Sequence, residues 1–292
     1  MKQGFVKVAS ATPRIRVADP VYNAQVICEQ AKEAAEHGAK IVVFPELCIT
    51  GYTCNDLFLQ ELLLEKAKEA LLTIAEETGQ LETLFLVGLP VDKDGRLYNV
   101  AAVLYRGRIL GMIPKKNIPM YAEFYEGRHF TPGEETVTEY RLGKQVIPFG
   151  SNLLFRCEEL PELILGCELC EDLWVAEPPS TSHALMGATV IANLSASNET
   201  VSKDDYRTLL IKASSARLLC GYIYTSAGEG ESTQDLVFGG HDLIAENGTL
   251  LAENKAFAGE DAITEIDCKK LAAERRRMGT FPLYPVPENE GY

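Results

Sequence analysis

Short runs of aliphatic and β-branched residues recur along the chain and limit what it can fold into. Ile41-Val42-Val43-Phe44, Leu84 to Pro90, Leu163-Ile164-Leu165 and Val190 to Leu194 are too short for helices. They lack polar alternation, so they read as strands covered on both faces. Apolar residues from Asp19 to His37 recur at helical spacing (Val21, Ala24, Ile27, Ala31, Ala34), and Gly38 stands where a left-handed cap closes a helix. A second, longer helix is predicted from about Asp56 to Thr78. Later the pattern changes to hairpins: Tyr98 to Tyr105 with Arg108 to Ile113 across Arg106-Gly107, and His241 to Ala245 with Thr249 to Ala252 across Glu246-Asn247-Gly248. A helix is predicted from Ser202 to Cys220 and a last, basic one from Lys269 to Met278. No Gly/Ser linker or shift of composition divides the 292 residues. The pattern predicts a single α/β domain with mixed sheets.

Net charge narrows the partners. Twenty-eight Lys and Arg against 42 Asp and Glu give −14, which argues against nucleic acid or an anionic membrane surface as the main partner. No apolar run reaches the ~20 residues that a membrane-spanning helix needs. The eight cysteines are scattered through apolar segments, and the N-terminus has no signal-peptide pattern. Reduced thiols and a cytoplasmic location are expected.

Three strand ends carry reactive side chains. Glu46 follows the run ending at Pro45, Lys115 follows the run ending at Pro114, and Cys170 follows the run through Leu163 to Gly166. Sites in open α/β folds lie where strands end. Free cysteines are usually packing residues, so residue type alone singles out none of the eight. A carboxylate, an ammonium and a thiol at equivalent places in one sheet would divide the work of acyl transfer. The glutamate would take the thiol proton and later activate water, while the lysine would steady an oxyanion and lower the thiol pKa. The segment Pro114 to Pro132, rich in aromatic and charged residues without a clean period, reads as a functional loop.

Phe44-Pro45-Glu46-Leu47, Pro114-Lys115 and Cys170-Glu171-Asp172 resemble the Glu-Lys-Cys signature of the nitrilase (carbon–nitrogen hydrolase) superfamily. Thr50-Gly51-Tyr52 with Asp56-Leu57-Phe58, then Tyr121-Ala122-Glu123-Phe124-Tyr125-Glu126, then Cys170 to Trp174 are similar to one branch, the glutaminase domains of glutamine-dependent NAD+ synthetases. The resemblance runs from the first strand to near Met278.

It implies a four-layer αββα sandwich over residues 1–280, with residues 281–292 the start of a linker to a synthetase domain. It also implies that Cys170, rather than Cys167, attacks the side-chain amide of glutamine, with Glu46 the base and Lys115 the oxyanion-stabilising cation. Tyr121 and Phe124 would shape the substrate pocket, Glu171 would help hold the substrate or an oxyanion donor, and Ser197 would contact the substrate. Glu126 would support the lysine. Lys203 stands where the resemblance calls for an arginine that pairs with the substrate carboxylate, and lysine is a poorer bidentate clamp. No cofactor is implied for this domain. ATP, Mg2+ and deamido-NAD+ would bind a C-terminal synthetase half whose glycine-rich pyrophosphate loop does not occur here. The resemblance further implies a homo-oligomer.

Other readings remain. One is a stand-alone amidase acting on another small amide. A second is an inactive docking module for a synthetase partner. A third is thiol–disulfide exchange through Cys167-Glu168-Leu169-Cys170, which has the C-x-x-C spacing. The four histidines are dispersed and none is spaced with cysteines as a zinc ligand set; His129, in the aromatic loop, is the one nearest to candidate chemistry.

Overall fold

The computed structural model describes residues 3–284. In chain order the first half forms β1 (Phe5–Ser10), α1 (Pro20–Glu36), β2 (Ile41–Val43), α2 (Glu61–Glu77), β3 (Leu84–Lys93), β4 (Arg96–Tyr105), β5 (Arg108–Pro114), β6 (Thr138–Leu142) and β7 (Gln145–Phe149). The second half forms β8 (Phe155–Arg156), β9 (Ile164–Leu169), α3 (Pro179–Leu185), β10 (Val190–Ser195), α4 (Lys203–Leu218), β11 (Gly221–Ser226), β12 (Asp242–Glu246), β13 (Thr249–Asn254), β14 (Ala262–Asp267) and α5 (Cys268–Arg277).

Local chemistry explains most boundaries. Asp19 caps α1 by accepting from the Tyr22 N–H at 3.1 Å, and Pro20 takes the first helical position. Gly38 follows the helix at φ 85°. The two predicted hairpins turn through Arg106-Gly107 (φ 47° and 76°) and Asn247-Gly248 (φ 44° and 83°), the positive pair that a two-residue turn matched to strand twist requires.

One expectation needs correction. The predicted helix from Asp56 to Thr78 is two elements: a 3-10 segment over Tyr52–Leu59, then α2 from Glu61. Asp56 does not cap a helix, because its carboxylate is held by Arg128 at 2.7 and 2.8 Å and by His129 at 3.0 Å. Phe281 packs under the Arg275 guanidinium at 4.9 Å, and the Tyr284 N–H donates to the Leu185 carbonyl at 2.7 Å. The rest of the expected linker, residues 285–292, lies outside the described residues.

The strands form two sheets, ordered β14-β1-β2-β3-β4-β5-β7-β6 and β13-β12-β11-β10-β9-β8. Each has a parallel centre, β1-β2-β3 in one and β9-β10-β11 in the other; the flanking pairs are antiparallel except β5 with β7, which is parallel. Alternation within strands sorts the core into layers. Ile41, Val43, Leu86 and Val103 meet Leu165, Cys167, Ala192 and Ile223 between the sheets. Val42, Phe85 and Ala102 face α1 and α2 on the other side, while Ile191, Tyr222 and Leu243 face α4 and its neighbours. This is the four-layer αββα arrangement. Among the described residues no helix is long and apolar enough to cross a membrane.

Candidate active site

The parallel centres place the ends of β2, β5, β9 and β10 at one edge of the sandwich. The Glu46 N–H donates to the Ser195 carbonyl at 3.3 Å, joining the end of β2 to the end of β10 across the two sheets. Gly88 of β3 is what lets the Glu46 loop lie so close. A Cβ there would sit 2.2 Å from the Leu47 nitrogen and 2.6 Å from the Pro45 carbonyl oxygen.

Glu46, Lys115 and Glu126 converge, as the resemblance implies. The Lys115 ammonium donates to Glu46 Oε1 and to Glu126 Oε1, each at 2.7 Å, and Lys115 and Glu46 have no solvent exposure. Two of its three protons are thereby committed, leaving one for a substrate oxygen. Asn99 of β4 donates to Glu46 Oε1 at 2.7 Å and to Glu126 Oε2 at 3.3 Å, and the Tyr52 hydroxyl donates to Glu126 Oε1 at 2.9 Å. Neither Asn99 nor Tyr52 was given a role from sequence. Asn99 carried a signal, a polar residue inside an otherwise apolar strand, where burial without partners would be costly.

Glu46 Oε2 is buried without a partner. An orphaned acceptor in this position is the oxygen free to receive a proton. Burial raises the Glu46 carboxyl to about 7 despite the opposing pull of Lys115, with Glu126 adding to the rise. Burial alone would lower the Lys115 ammonium, but Glu126 and Glu46 hold it well above its ordinary value.

Cys170 opens a short 3-10 turn, Cys170–Leu173, directly after β9, and its φ is 40°. A non-glycine residue in that region is strained, and such strain recurs where a side chain must be aimed. Buried Asp172 fixes the turn. Its carboxylate accepts from the Leu169 N–H at 3.1 Å, from the Asn117 N–H and Nδ2 at 2.8 Å, and from the Lys116 N–H at 3.4 Å. One side chain thus lashes the thiol turn to the segment that follows Lys115. The Lys116 ammonium itself points away and pairs with Glu135 at the surface.

The expectation that Lys115 would lower the thiol pKa is not met in the net. Burial pushes the Cys170 thiol up to about 12, Glu46 adds to the rise, and the lowering by Lys115 is outweighed. Glu46, Glu126 and Lys115 already sum to one negative charge when ionised, so a thiolate beside them would be a second uncompensated buried charge. The thiol is therefore neutral at rest, and any reaction at its sulfur needs a group to take the proton.

Cys170 lies in a cavity of about 410 Å3 whose lining includes Tyr121, Glu123, Phe124, Glu171, Trp174, Ser197, Lys203 and Tyr206. Every residue assigned to substrate contact from sequence is among them. Tyr121 donates to Glu171 at 2.9 Å and meets Phe124 edge-on at 5.9 Å. The Lys203 ammonium lies over the rings of Trp174 (5.4 Å) and Phe124 (5.7 Å) and donates to the Asn198 carbonyl oxygen Oδ1. The cavity thus offers two carboxylates (Glu123 and Glu171), one ammonium and aromatic walls around the thiol. A groove of about 550 Å3 lined by Arg14, Arg16, Tyr22 and Glu229 is larger but has no thiol.

Cys167 is buried between the sheets, in a different layer from the cavity, and all eight cysteines are free. That separation disfavours the C-x-x-C reading. His129 bonds Asp56 and is not part of the cavity around Cys170.

The model of the carbon–nitrogen hydrolase family matches residues 7–276, most of the chain and all the residues just described up to the last helix. The chain belongs to the carbon–nitrogen hydrolase family. Among curated members, the glutamine-dependent NAD(+) synthetase of Mycobacterium tuberculosis is 43% identical over 282 residues, covering 96% of this chain and 42% of that protein. Among solved structures, a glutamine-dependent NAD(+) synthetase from Cytophaga hutchinsonii superposes with a TM-score of 0.79 at 28% identity, over 90% of this chain and 42% of its own. An amidase from Nesterenkonia sp. shares the fold at a TM-score of 0.71 and 20% identity, over 95% of this chain and 97% of its own. The chain therefore spans less than half the length of the synthetases it matches. As a carbon–nitrogen hydrolase it is an enzyme; Glu46, Lys115 and Glu126 form one buried cluster and Cys170 lines the cavity.

Proposed function

We propose that this chain hydrolyses the side-chain amide of glutamine and releases ammonia. Sulfur of Cys170 attacks the amide carbon as its proton passes to Glu46, and the tetrahedral oxyanion takes the remaining N–H of Lys115. Glu46 returns the proton to the leaving nitrogen, and ammonia departs. Water then adds to the thioester with Glu46 again as base, and glutamate leaves as the thiol is restored.

The observation that carries the substrate assignment is the charge layout of the cavity. Glu171 and Lys203 offer opposite charges beside a thiol, which suits an amino acid whose side-chain amide reaches the nucleophile while its ammonium and carboxylate remain at the rim. We assign Tyr121 and Phe124 to the walls and Ser197 to substrate contact. The similarity to synthetases more than twice this length supports a further assignment. The ammonia serves a C-terminal synthetase domain that amidates deamido-NAD+, and that domain, not this one, takes ATP and Mg2+. A cytoplasmic setting suits eight free thiols.

The test is ammonia release from glutamine against a panel of other small amides, with and without Cys170→Ala. Glutamine is expected to be the preferred amide. The variant is expected to lose at least about a thousandfold in rate, as removal of a nucleophile does, and its thermal unfolding should stay cooperative. A mass increase on Cys170 during turnover would identify the thioester. Ammonia release at wild-type rate by the variant would refute the assignment.

A further inference from the structure

Arg207 heads the large side chains that are wholly buried, and no step above uses it. It projects from α4 one turn beyond Lys203. Its Nη1 donates to Glu199 Oε1 at 2.9 Å and to His241 Nδ1 at 2.8 Å. Its Nη2 donates to Ser197 Oγ and to the Asn198 carbonyl, each at 3.2 Å. One guanidinium therefore grips three successive residues, 197–199, where the chain leaves β10 beside the thiol.

The arrangement has a direction. Arginine keeps its protons, so His241 must accept at Nδ1. Its other nitrogen, Nε2, then carries the proton and donates to Glu253 Oε1 at 3.0 Å. Glu253 on β13 orients His241, His241 orients Arg207, and Arg207 holds the strand end.

What is held is the recognition wall. Ser197 lines the cavity. Asn198 uses both ends of its amide: Oδ1 accepts from the Lys203 ammonium, and Nδ2 donates to Glu123 Oε1 at 2.7 Å. Lys203 and Glu123 also line the cavity. A displacement of residues 197–198 would move a hydroxyl, a cation and a carboxylate of the pocket together. By contrast, Arg207 makes no hydrogen bond to Glu46, Lys115, Glu126 or Cys170.

We propose that Arg207, oriented by His241 and Glu253, is a positioning residue that sets the affinity of the pocket for its amino-acid substrate without entering the chemistry. This rests on the glutaminase reading above. A group that served folding alone would lower stability and leave KM untouched, so the split between KM and kcat is the informative readout.

The experiment measures KM and kcat for glutamine, and separately the rate at which iodoacetamide alkylates Cys170, in wild type, Arg207→Met, Arg207→Lys and His241→Phe. Arg207→Met is expected to raise KM at least tenfold while kcat and the alkylation rate change less than threefold. Arg207→Lys should recover part of the KM, because an ammonium still donates to some of the same acceptors. His241→Phe, which removes one acceptor and touches no cavity residue, should raise KM in the same direction by less. An unchanged KM in Arg207→Met overturns the proposal, as does a fall in kcat and alkylation with KM fixed. If Arg207→Met does not fold, an unchanged KM in His241→Phe overturns it instead. Wild-type protein that releases no ammonia from glutamine, while its Cys170 alkylates, refutes the glutaminase reading and this proposal with it. Wild-type turnover with unaltered KM in the variants refutes this proposal alone.

Discussion

Replacing Glu126 with glutamine tests how the buried charges set the acidity of Glu46, the proposed base. Glu46 and Glu126 each lie 2.7 Å from the Lys115 ammonium, so their near oxygens are at most twice that distance apart. With an effective dielectric constant of ~20, two like charges about 5 Å apart repel by roughly 3 kcal/mol. That corresponds to roughly two pKa units, and relaxation around the substitution will reduce it to about one to two. Glu126 raises the Glu46 carboxyl, and the group stands at about 7 in the intact protein. The base is ionised above that value, so kcat/KM should fall as pH drops through it. Removing the second carboxylate should move this acid limb down, by about one to two pH units. Glutamine keeps an oxygen that can still accept from Tyr52 and Lys115, so the substitution removes charge more than shape. The assay is the pH dependence of kcat/KM for glutamine between pH 5 and 9 at constant ionic strength, which reports ionisations of the free enzyme. The same variant should alkylate at Cys170 faster at a given pH, because Glu126 also raises the thiol. An acid limb that stays in place or moves up would refute the electrostatic account of this cluster.

Two further substitutions probe the scaffold. Lys115→Met leaves two buried carboxylates without their shared cation and should destabilise the fold by about 3–5 kcal/mol near neutral pH, measured by urea unfolding. A carboxyl whose folded pKa is raised costs stability as pH rises through that pKa. The deficit should therefore shrink toward pH 5, below the value of about 7 that Glu46 has even with Lys115 present; a deficit independent of pH would contradict it. Gly88→Ala places a Cβ 2.2 Å from the Leu47 nitrogen. It should cost about 1–3 kcal/mol in overpacking and roughly 10²-fold in turnover through displacement of Glu46, read from unfolding and from kcat; wild-type kcat would show that the loop has another route to the same geometry.

The residues proposed for the chemistry are legible as candidates because each follows a strand, and strand ends are marked by runs of apolar residues in the sequence. Strand ends made Glu46, Lys115 and Cys170 candidates, and the resemblance of their motifs to the family signature is what selected Cys170 over Cys167. What could not be read is what the same residues become once other elements close on them. Lys115 was expected to acidify the thiol, as a nearby cation does in water. In the folded chain two carboxylates share that cation, and burial reverses the net effect. The residues that decide the outcome come from segments whose sequence speaks of something else. Asn99 lies within a hairpin strand, Tyr52 in a stretch expected to precede a helix, and Arg207 on a helix whose burial no periodicity reveals. Their roles arise from long-range contacts, with 53 residues separating Asn99 from Glu46 and 74 separating Tyr52 from Glu126. A local pattern can place a reactive group at the edge of a sheet. The state of its proton is a property of the whole enclosure, and for Cys170 that enclosure makes the base, rather than the thiol's own acidity, the element on which the proposed attack depends.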